Sequence, residues 1–368
     1  MVVNPVYPDT WPVPQTPYED EALAFCRAWL ANQQQFTLFT SGSTGTPKSI
    51  QLTRAQMKAS AYLTGQTLGL QAGDPALVCL NIRYVAGIMM LVRGLELGLP
   101  MTIIEPASNP LDGLNLAMAN FAFTALVPLQ LQTILANSNP ESRAKQVAIL
   151  SKMKAILVGG AATSLALEQA LQEINAPVYA TYGMTETVSH IALRRLNGPD
   201  TSDVFTALTG VELGTDARGC LHITSAATNF ERIQTNDVVD LIASSNGEST
   251  QFRLLGRADR VINTGGVKVQ PEQVESLIQA VLATDKAVSN RPVPRLFVAG
   301  LPDERLGQRI VVISEQEPIN TDQWQRIQHA IRETLGPYAV PKERITVARF
   351  AETPTGKVDQ KATVAQMR

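Results

Sequence analysis

The sequence predicts an α/β protein of more than one domain, and three observations carry that prediction. From Phe36 onward, short apolar β-rich runs alternate with longer helical patterns, the order expected of a parallel or mixed sheet covered by helices. The 368 residues, 45% of them apolar, exceed what a single small core needs. From about Asp259 the chain starts a second alternation of strand, helix and strand, long enough to be a small domain of its own.

Taken in order, "FTLF" at 36–39 reads as a strand entering a loop and "SIQLT" at 49–53 as one leaving it. A helix follows over 54–68, a buried strand over 76–82, a helix over 86–97 and a strand over 101–105. Later come the strand "AILV" before Gly159 and Gly160, a helix over 164–174, and the strand "VYATY" before the turn at Gly183. Between Gly219 and Asp240 the helical pattern gives way to strand-like pieces, with "SSNGEST" as a hairpin tip. Pro271 opens the helix of "PEQVESLIQAVL", as a residue without an amide hydrogen suits a first helical turn.

Composition excludes several classes. With 31 basic against 33 acidic residues and a net charge of -2, there is no general attraction for nucleic acid or an anionic membrane. Cys26, Cys79 and Cys220 are widely spaced among apolar neighbours, which predicts buried thiols in a reducing compartment. His190, His222 and His329 form no metal-ligand spacing. The start lacks a basic region followed by an apolar one, and the longest apolar run, "YVAGIMMLV", is too short to span a bilayer. The expectation is a cytoplasmic protein without membrane insertion.

The stretch "TSGSTGTPKS" at 40–49 poses the chemical question. It resembles a phosphate loop, but Pro47 stands where the nucleotide-triphosphatase pattern needs a second glycine. Proline has no amide hydrogen to offer a phosphate. The next residues, "SIQLT", are β-branched and apolar, so no helix N-terminus follows to take the charge. A glycine- and hydroxyl-rich hairpin between two strands fits instead, closing over the β- and γ-phosphates of ATP while Pro47 stiffens the exit and aims Lys48.

In this form "TSGSTGTPK" resembles the phosphate loop of the adenylate-forming superfamily, the acyl- and aryl-CoA ligases, adenylation domains and luciferases. The resemblance implies phosphate contacts from Thr40, Ser41, Gly42, Ser43, Thr44, Gly45 and Lys48. "YGMTET" at 182–187 is similar to the superfamily's adenylate-binding turn: Tyr182 would stack on adenine beside Gly183, Thr185 bond the α-phosphate, and Glu186 hold Mg²⁺, for which a carboxylate is a hard ligand. "GGAA" matches the preceding stretch, where Gly159, Gly160 and Ala161 let backbone approach the base. "QTND" supplies Asp237 for the ribose hydroxyls, with Asn236 in place of the usual glycine, a residue that tolerates positive φ.

"LLGRADRVINTGGVKVQPEQVE" resembles the hinge and the start of the small C-terminal domain. It implies a ribose or phosphate contact from Arg257, a hinge at Asp259, and Gly265 and Gly266 near the CoA thiol. "GLPDERLGQ" is a further C-terminal signature, and "PTGKVD" places the superfamily's catalytic lysine at Lys357. The implied architecture is a large N-terminal adenylate-forming domain over 1–257 and a small mobile α+β lid over 258–368, closing to adenylate and rotating to admit CoA. Only residues 1–35 precede the resemblance, a start trimmed relative to the usual relatives.

The acid is read from the acyl pocket. Where many relatives carry an L-P-L-[FY]-H-x-x-G motif, this chain has "LNIRYVAG", with Arg83 and Tyr84 at the aromatic and histidine positions and Gly87 closing the motif. Arg83 either pairs with a second substrate carboxylate, contributing roughly 1.5 to 3 kcal/mol, or makes a surface ion pair. Together with "YGMTETVSHIALR", this stretch resembles the branch of the superfamily that activates o-succinylbenzoate, an aromatic dicarboxylate used in menaquinone biosynthesis, which implies Ser189 and His190 at the pocket wall. The expected co-substrates are ATP with Mg²⁺, then CoA, and a homodimer is left open. A different acid, a carrier-protein acceptor, or a nucleotide-binding protein without catalysis are the alternatives.

Overall fold

The computed structural model describes residues 1–39, 49–115, 119–243, 249–284, 293–353 and 358–367. It opens with an edge strand, β1 (Val2–Val3), and helix α1 (Pro17–Leu30), whose N-cap Thr16 accepts from the Glu19 amide. Strands β2 (Gln35–Phe39) and β3 (Ser49–Thr53) then pair antiparallel, from Gln35 opposite Thr53 to Phe39 opposite Ser49. Helix α2 (Arg54–Leu68) starts at the next residue because Thr53 and Gln56 form a reciprocal capping box. Residues 40–48, which carry the expected phosphate loop, lie outside the described residues, but the strands flanking them form a hairpin.

Next come β4 (Ala76–Val78), α3 (Val85–Leu97), β5 (Met101–Ile103), β6 (Phe123–Leu126), α4 (Pro128–Leu135), α5 (Pro140–Ser151), β7 (Ala155–Val158), α6 (Leu165–Ala170) and β8 (Val178–Gly183). Strands β5, β4, β6, β7 and β8 lie side by side and parallel. Every residue of β4, β6 and β7 is buried, as strands covered by helices on both faces require. The strand expected over 76–82 ends at Val78, because the chain turns there: the Tyr84 amide bonds the Asn81 carbonyl and α3 begins. The helix expected over 164–174 divides into α6 and a 3₁₀ turn, Leu171–Glu173.

The rest of this sheet is antiparallel: β9 (His190–Arg195), β10 (Phe205–Ala207), β11 (Glu212–Thr215), β12 (Cys220–Thr224), β13 (Ile233–Ala243) and β14 (Ser249–Arg257). The 12-stranded order is β1-β5-β4-β6-β7-β8-β9-β10-β14-β13-β12-β11. A second sheet follows, from β15 (Ile262–Thr264), β16 (Val267–Val269), helix α7 (Pro271–Ala283), β17 (Leu296–Asp303), β18 (Gly307–Glu315), helix α8 (Thr321–Leu335), β19 (Glu343–Val347) and α9 (Gln360–Gln366). Its five strands pack α7 and α8 around a separate core that includes Ile262, Val274, Ile278, Val312, Ile327 and Ile331. The three cysteines are free and buried. Among the described residues no helix is long and apolar enough to cross a membrane.

Candidate active site

Open parallel sheets present their loops at the carboxyl ends of the strands, and ligands bind there. Here β7 runs into Gly159, Gly160 and Ala161, which are partly or fully exposed, with Gly160 at φ 83°. The neighbouring β8 runs into Gly183 and a 3₁₀ turn, Thr185–Thr187, that leaves Thr185 half-buried and Glu186 exposed. A Cβ on Gly159 would lie 2.4 Å from Thr181 Oγ1 in β8, so the glycine lets the two strand ends close together.

Asp237 joins this site from a distant strand. Four strand-to-strand steps separate β8 from β13, about 19 Å on a flat sheet, yet the Tyr182 hydroxyl donates to Asp237 Oδ2 at 2.6 Å. The sheet curls to allow this, and Tyr182, Phe205 and Phe252 fill the inside of the curl with ring centroids 5.1 to 5.8 Å apart. Tyr182 is only 8% exposed. Its ring therefore packs against the aromatic residues inside the curl, and its hydroxyl is presented to Asp237. Burial and the Asp237 charge both raise the phenol pKa, so it stays a donor.

Arg257 Nη1 donates to Asp237 Oδ1 at 3.1 Å, and its Nε and Nη2 grip the two oxygens of Asp259 at 2.9 Å each. One guanidinium thus ties the expected ribose carboxylate to the expected hinge, and its hydrogen bonds hold the Asp259 carboxyl below its usual range. Asn236 lies in β13 without positive φ, so the backbone freedom of the missing glycine is not used. Gly265 and Gly266 form the two-residue turn between β15 and β16, at φ 59° and 82°. Their described surroundings are Leu306 and Tyr338, in the second sheet's own unit. Lys357, like Thr40, Ser41, Gly42, Ser43, Thr44, Gly45 and Lys48, lies outside the described residues.

The residues expected at the acyl end lie in different surroundings. Arg83 is a surface residue whose Nε bonds Glu21 at 3.2 Å with 72% of its side chain exposed; it makes the surface ion pair. Tyr84 is the half-buried residue preceding α3. Gly87 is buried, and a Cβ there would meet the Asn81 carbonyl oxygen at 2.4 Å, so packing of α3 on the 81–82 turn accounts for it.

Ten residues after Arg83, Arg93 of α3 is a buried cation, 2% exposed. Its Nη2 donates to Ser189 Oγ at 2.7 Å, its Nε to Thr64 Oγ1 at 3.2 Å, and Nη2 lies 3.5 Å from His190 Nδ1. These partners and Met90 Sδ at 4.0 Å are all neutral. Desolvation lowers the Arg93 pKa to about 9, which leaves it charged at neutral pH. Burial and the adjacent guanidinium push the His190 pKa well below its usual value, so the imidazole is neutral. Arg93 was not singled out in the sequence, although a signal existed: α3 is apolar almost all round, and a charge in such a helix has no solvent face to turn to.

The turn that delivers Ser189 and His190 is strained. Val188 has φ 66° and ψ -52°, and the Ser189 amide bonds the Thr187 carbonyl at 2.7 Å, closing a γ-turn on a buried β-branched residue. Gly183 makes room for it: a Cβ there would lie 2.1 Å from the Ser189 carbonyl oxygen.

The magnesium expectation is compatible with this donor set. Mg²⁺ is commonly held by one or two carboxylates together with substrate phosphates, so the exposed Glu186 carboxylate suffices on the protein side. Among the described residues no group of three or more His, Cys, Asp or Glu side chains forms a metal cage.

Comparison with known proteins gives this arrangement a context. The sequence profile of the AMP-binding enzyme family matches residues 9–213. A Mycobacterium tuberculosis protein named "Probable 2-succinylbenzoate--CoA ligase" is 31% identical over 344 residues, covering 88% of this chain and 82% of its own. The 2-succinylbenzoate–CoA ligase of Escherichia coli K12 is 27% identical over 345 residues, covering 89% and 70%. Among solved structures, an acyl-CoA synthetase (AMP-forming)/AMP-acid ligase II-like protein from Dyadobacter fermentans has 41% identity and a TM-score of 0.66, covering 100% of this chain and 99% of its own. The o-succinylbenzoate coenzyme A synthetase of Bacillus subtilis, solved with ATP and a magnesium ion, shares the fold with a TM-score of 0.68 at 20% identity, covering 89% and 69%.

Proposed function

The chain belongs to the AMP-binding enzyme family, and from that premise we propose that it is an ATP-dependent, AMP-forming ligase that joins o-succinylbenzoate to CoA. One observation carries the choice of acid: Arg93 is charged, buried and surrounded by neutral partners at the turn that follows the adenylate-binding motif. Burying an ion costs several kcal/mol unless an opposite charge meets it. A substrate with a second carboxylate supplies that charge, whereas a fatty acid leaves the cation unpaired. The named relatives are consistent with the same acid.

In this reading the first carboxylate attacks the α-phosphate of ATP and pyrophosphate leaves; the CoA thiol then displaces AMP from the acyl-adenylate. Mg²⁺ supplies charge neutralisation at the phosphates when bound, and Glu186 would hold it. Thr185 contacts the α-phosphate, Asp237 the ribose hydroxyls, and Tyr182 and Arg257 fix the Asp237 carboxylate from two sides. Lys357 and the 40–48 loop complete the phosphate contacts. We place the domain boundary between residues 257 and 258 with a hinge at Asp259, supported by the change from one sheet to the next between Arg257 and Ile262.

The test is direct: incubate the protein with ATP, Mg²⁺, CoA and o-succinylbenzoate, and measure pyrophosphate and thioester. Both products are expected. Pyrophosphate exchange without thioester moves the acceptor to a carrier protein, and activity only with another acid overturns the o-succinylbenzoate assignment.

A further inference from the structure

We propose that Thr64 is a positioning residue for the acyl pocket, its hydroxyl setting both the orientation of Arg93 and the tautomer of His190. The inference rests on the reading of Arg93 as the partner of the substrate's second carboxylate.

Thr64 is fully buried in α2. Its hydroxyl has one hydrogen, which goes to the Ser60 carbonyl one turn back, at 3.0 Å. Two acceptor positions remain. Arg93 Nε–H takes one at 3.2 Å. His190 Nε2 faces the other at 3.3 Å and, with the hydroxyl hydrogen already committed, must be the donor. The proton of the neutral imidazole is thereby placed on Nε2 and Nδ1 becomes an acceptor. That tautomer suits the other side of the ring, where Ser189 Oγ lies 3.4 Å and Arg93 Nη2 3.5 Å from Nδ1. Ser189 Oγ accepts from Arg93 Nη2 and can turn its own hydrogen to Nδ1.

Every donor in this ring of four side chains has an acceptor only if the Thr64 hydroxyl is present. Without it, the Arg93 Nε–H and the His190 Nε2–H lose their shared acceptor, and the guanidinium is free to rotate about its last torsions. Thr64 need not touch substrate; it acts by fixing the two side chains nearest the expected carboxylate.

The experiment compares Thr64→Val, which keeps the shape and removes the hydroxyl, with Thr64→Ser, which keeps the hydroxyl, and with Arg93→Gln. Thr64→Val should raise KM for o-succinylbenzoate about tenfold, the equivalent of one ordinary hydrogen bond, with kcat and the KM for ATP within about twofold. Thr64→Ser should restore most of the difference. In ¹⁵N-labelled protein, the His190 imidazole should show the Nε2–H pattern in the parent and in Thr64→Ser, and a mixture of tautomers in Thr64→Val. An Arg93→Gln variant with unchanged KM overturns the carboxylate reading and this inference with it. A raised KM in Arg93→Gln beside an unchanged KM in Thr64→Val overturns this inference alone. An unaltered His190 tautomer in Thr64→Val does the same, and that readout does not depend on activity.

Discussion

The Tyr182 hydroxyl donates to Asp237 Oδ2 at 2.6 Å across strands that are four neighbours apart in the sheet. This bond is the point at which the curl of the sheet meets the proposed nucleotide end of the site. A hydrogen bond to a charged group contributes about 1.5 to 3 kcal/mol. Tyr182→Phe keeps the ring packing on Phe205 and Phe252 and removes only the hydroxyl, so unfolding free energy should fall by about that amount. Asp237 then keeps Arg257 as its charged partner but loses the second restraint, and the KM for ATP should rise several-fold with little change in the KM for the acid. Chemical denaturation and initial-rate kinetics on the same preparation check both parts; an ATP KM that stays put means Asp237 is held well enough by Arg257 alone.

Arg93 gives a prediction about ligand-linked stability. A ligand that binds only the folded protein stabilises it by about 2.7 kcal/mol at a hundredfold excess over its Kd. With a non-hydrolysable ATP analogue present, o-succinylbenzoate should raise the melting temperature of the parent and benzoate, which lacks the second carboxylate, should raise it much less. Arg93→Gln should erase the difference between the two acids. If both acids stabilise the parent equally, the buried cation does not select for the second charge.

The parts of this molecule that were legible in the sequence are those set by local chemistry. β3 and α2 begin and end where they were expected, because the β-branched, apolar run "SIQLT" and the Thr53–Gln56 capping box that the structure adds are both set within a few positions. The strand over 76–82 was read too long because the turn that ends it depends on how α3 packs, and Gly87 shows that packing only once Asn81 is beside it. The surroundings of Tyr182 and Arg83 required tertiary knowledge of the same kind. Tyr182 reads in the sequence as an aromatic residue before a glycine turn, and only the curl of the sheet shows Phe205 and Phe252 against its ring. Two arginines flank one apolar run, and which of them is buried depends on the helix phase and on the residues of α2 and β9 that meet it. Arg83, at the exposed start, finds Glu21, whereas Arg93, at the far end of the run, meets Thr64 and His190.

His190 makes stability depend on pH in a stated direction. Its folded pKa lies well below the unfolded value of about 6.5, so above that value both states are neutral and the residue contributes no slope. As pH falls below about 6.5 the unfolded chain takes up the proton first, and stability is lost at up to about 1.4 kcal/mol per pH unit until the folded pKa is reached. Denaturant midpoints measured between pH 7.5 and 5 should therefore fall more steeply in the parent than in His190→Gln. Because carboxylates titrate in both proteins, the difference between the two curves is the quantity that reports His190, and parallel curves would sink the idea.

Val188 offers a test in which the usual order of two substitutions reverses. At an ordinary site glycine is less stable than alanine by roughly 0.5 to 1 kcal/mol, because it loses more backbone freedom on folding. At φ 66° and ψ -52° an L-residue carries strain on the order of 1 to 3 kcal/mol that glycine does not. Val188→Ala and Val188→Gly both give up the buried valine methyls packed near Met57 and Ile88, but only the second also releases the strain. Val188→Gly should accordingly unfold at an equal or higher denaturant concentration than Val188→Ala. Activity should follow the opposite order, since the γ-turn aims Ser189 and His190 at Arg93, and a glycine there lets the turn relax into other conformations. The KM for o-succinylbenzoate should thus be higher in Val188→Gly than in Val188→Ala, while the KM for ATP stays the same in both. A glycine variant that is both less stable and no worse in its acid KM would mean that the turn is ordinary packing and sets nothing in the pocket.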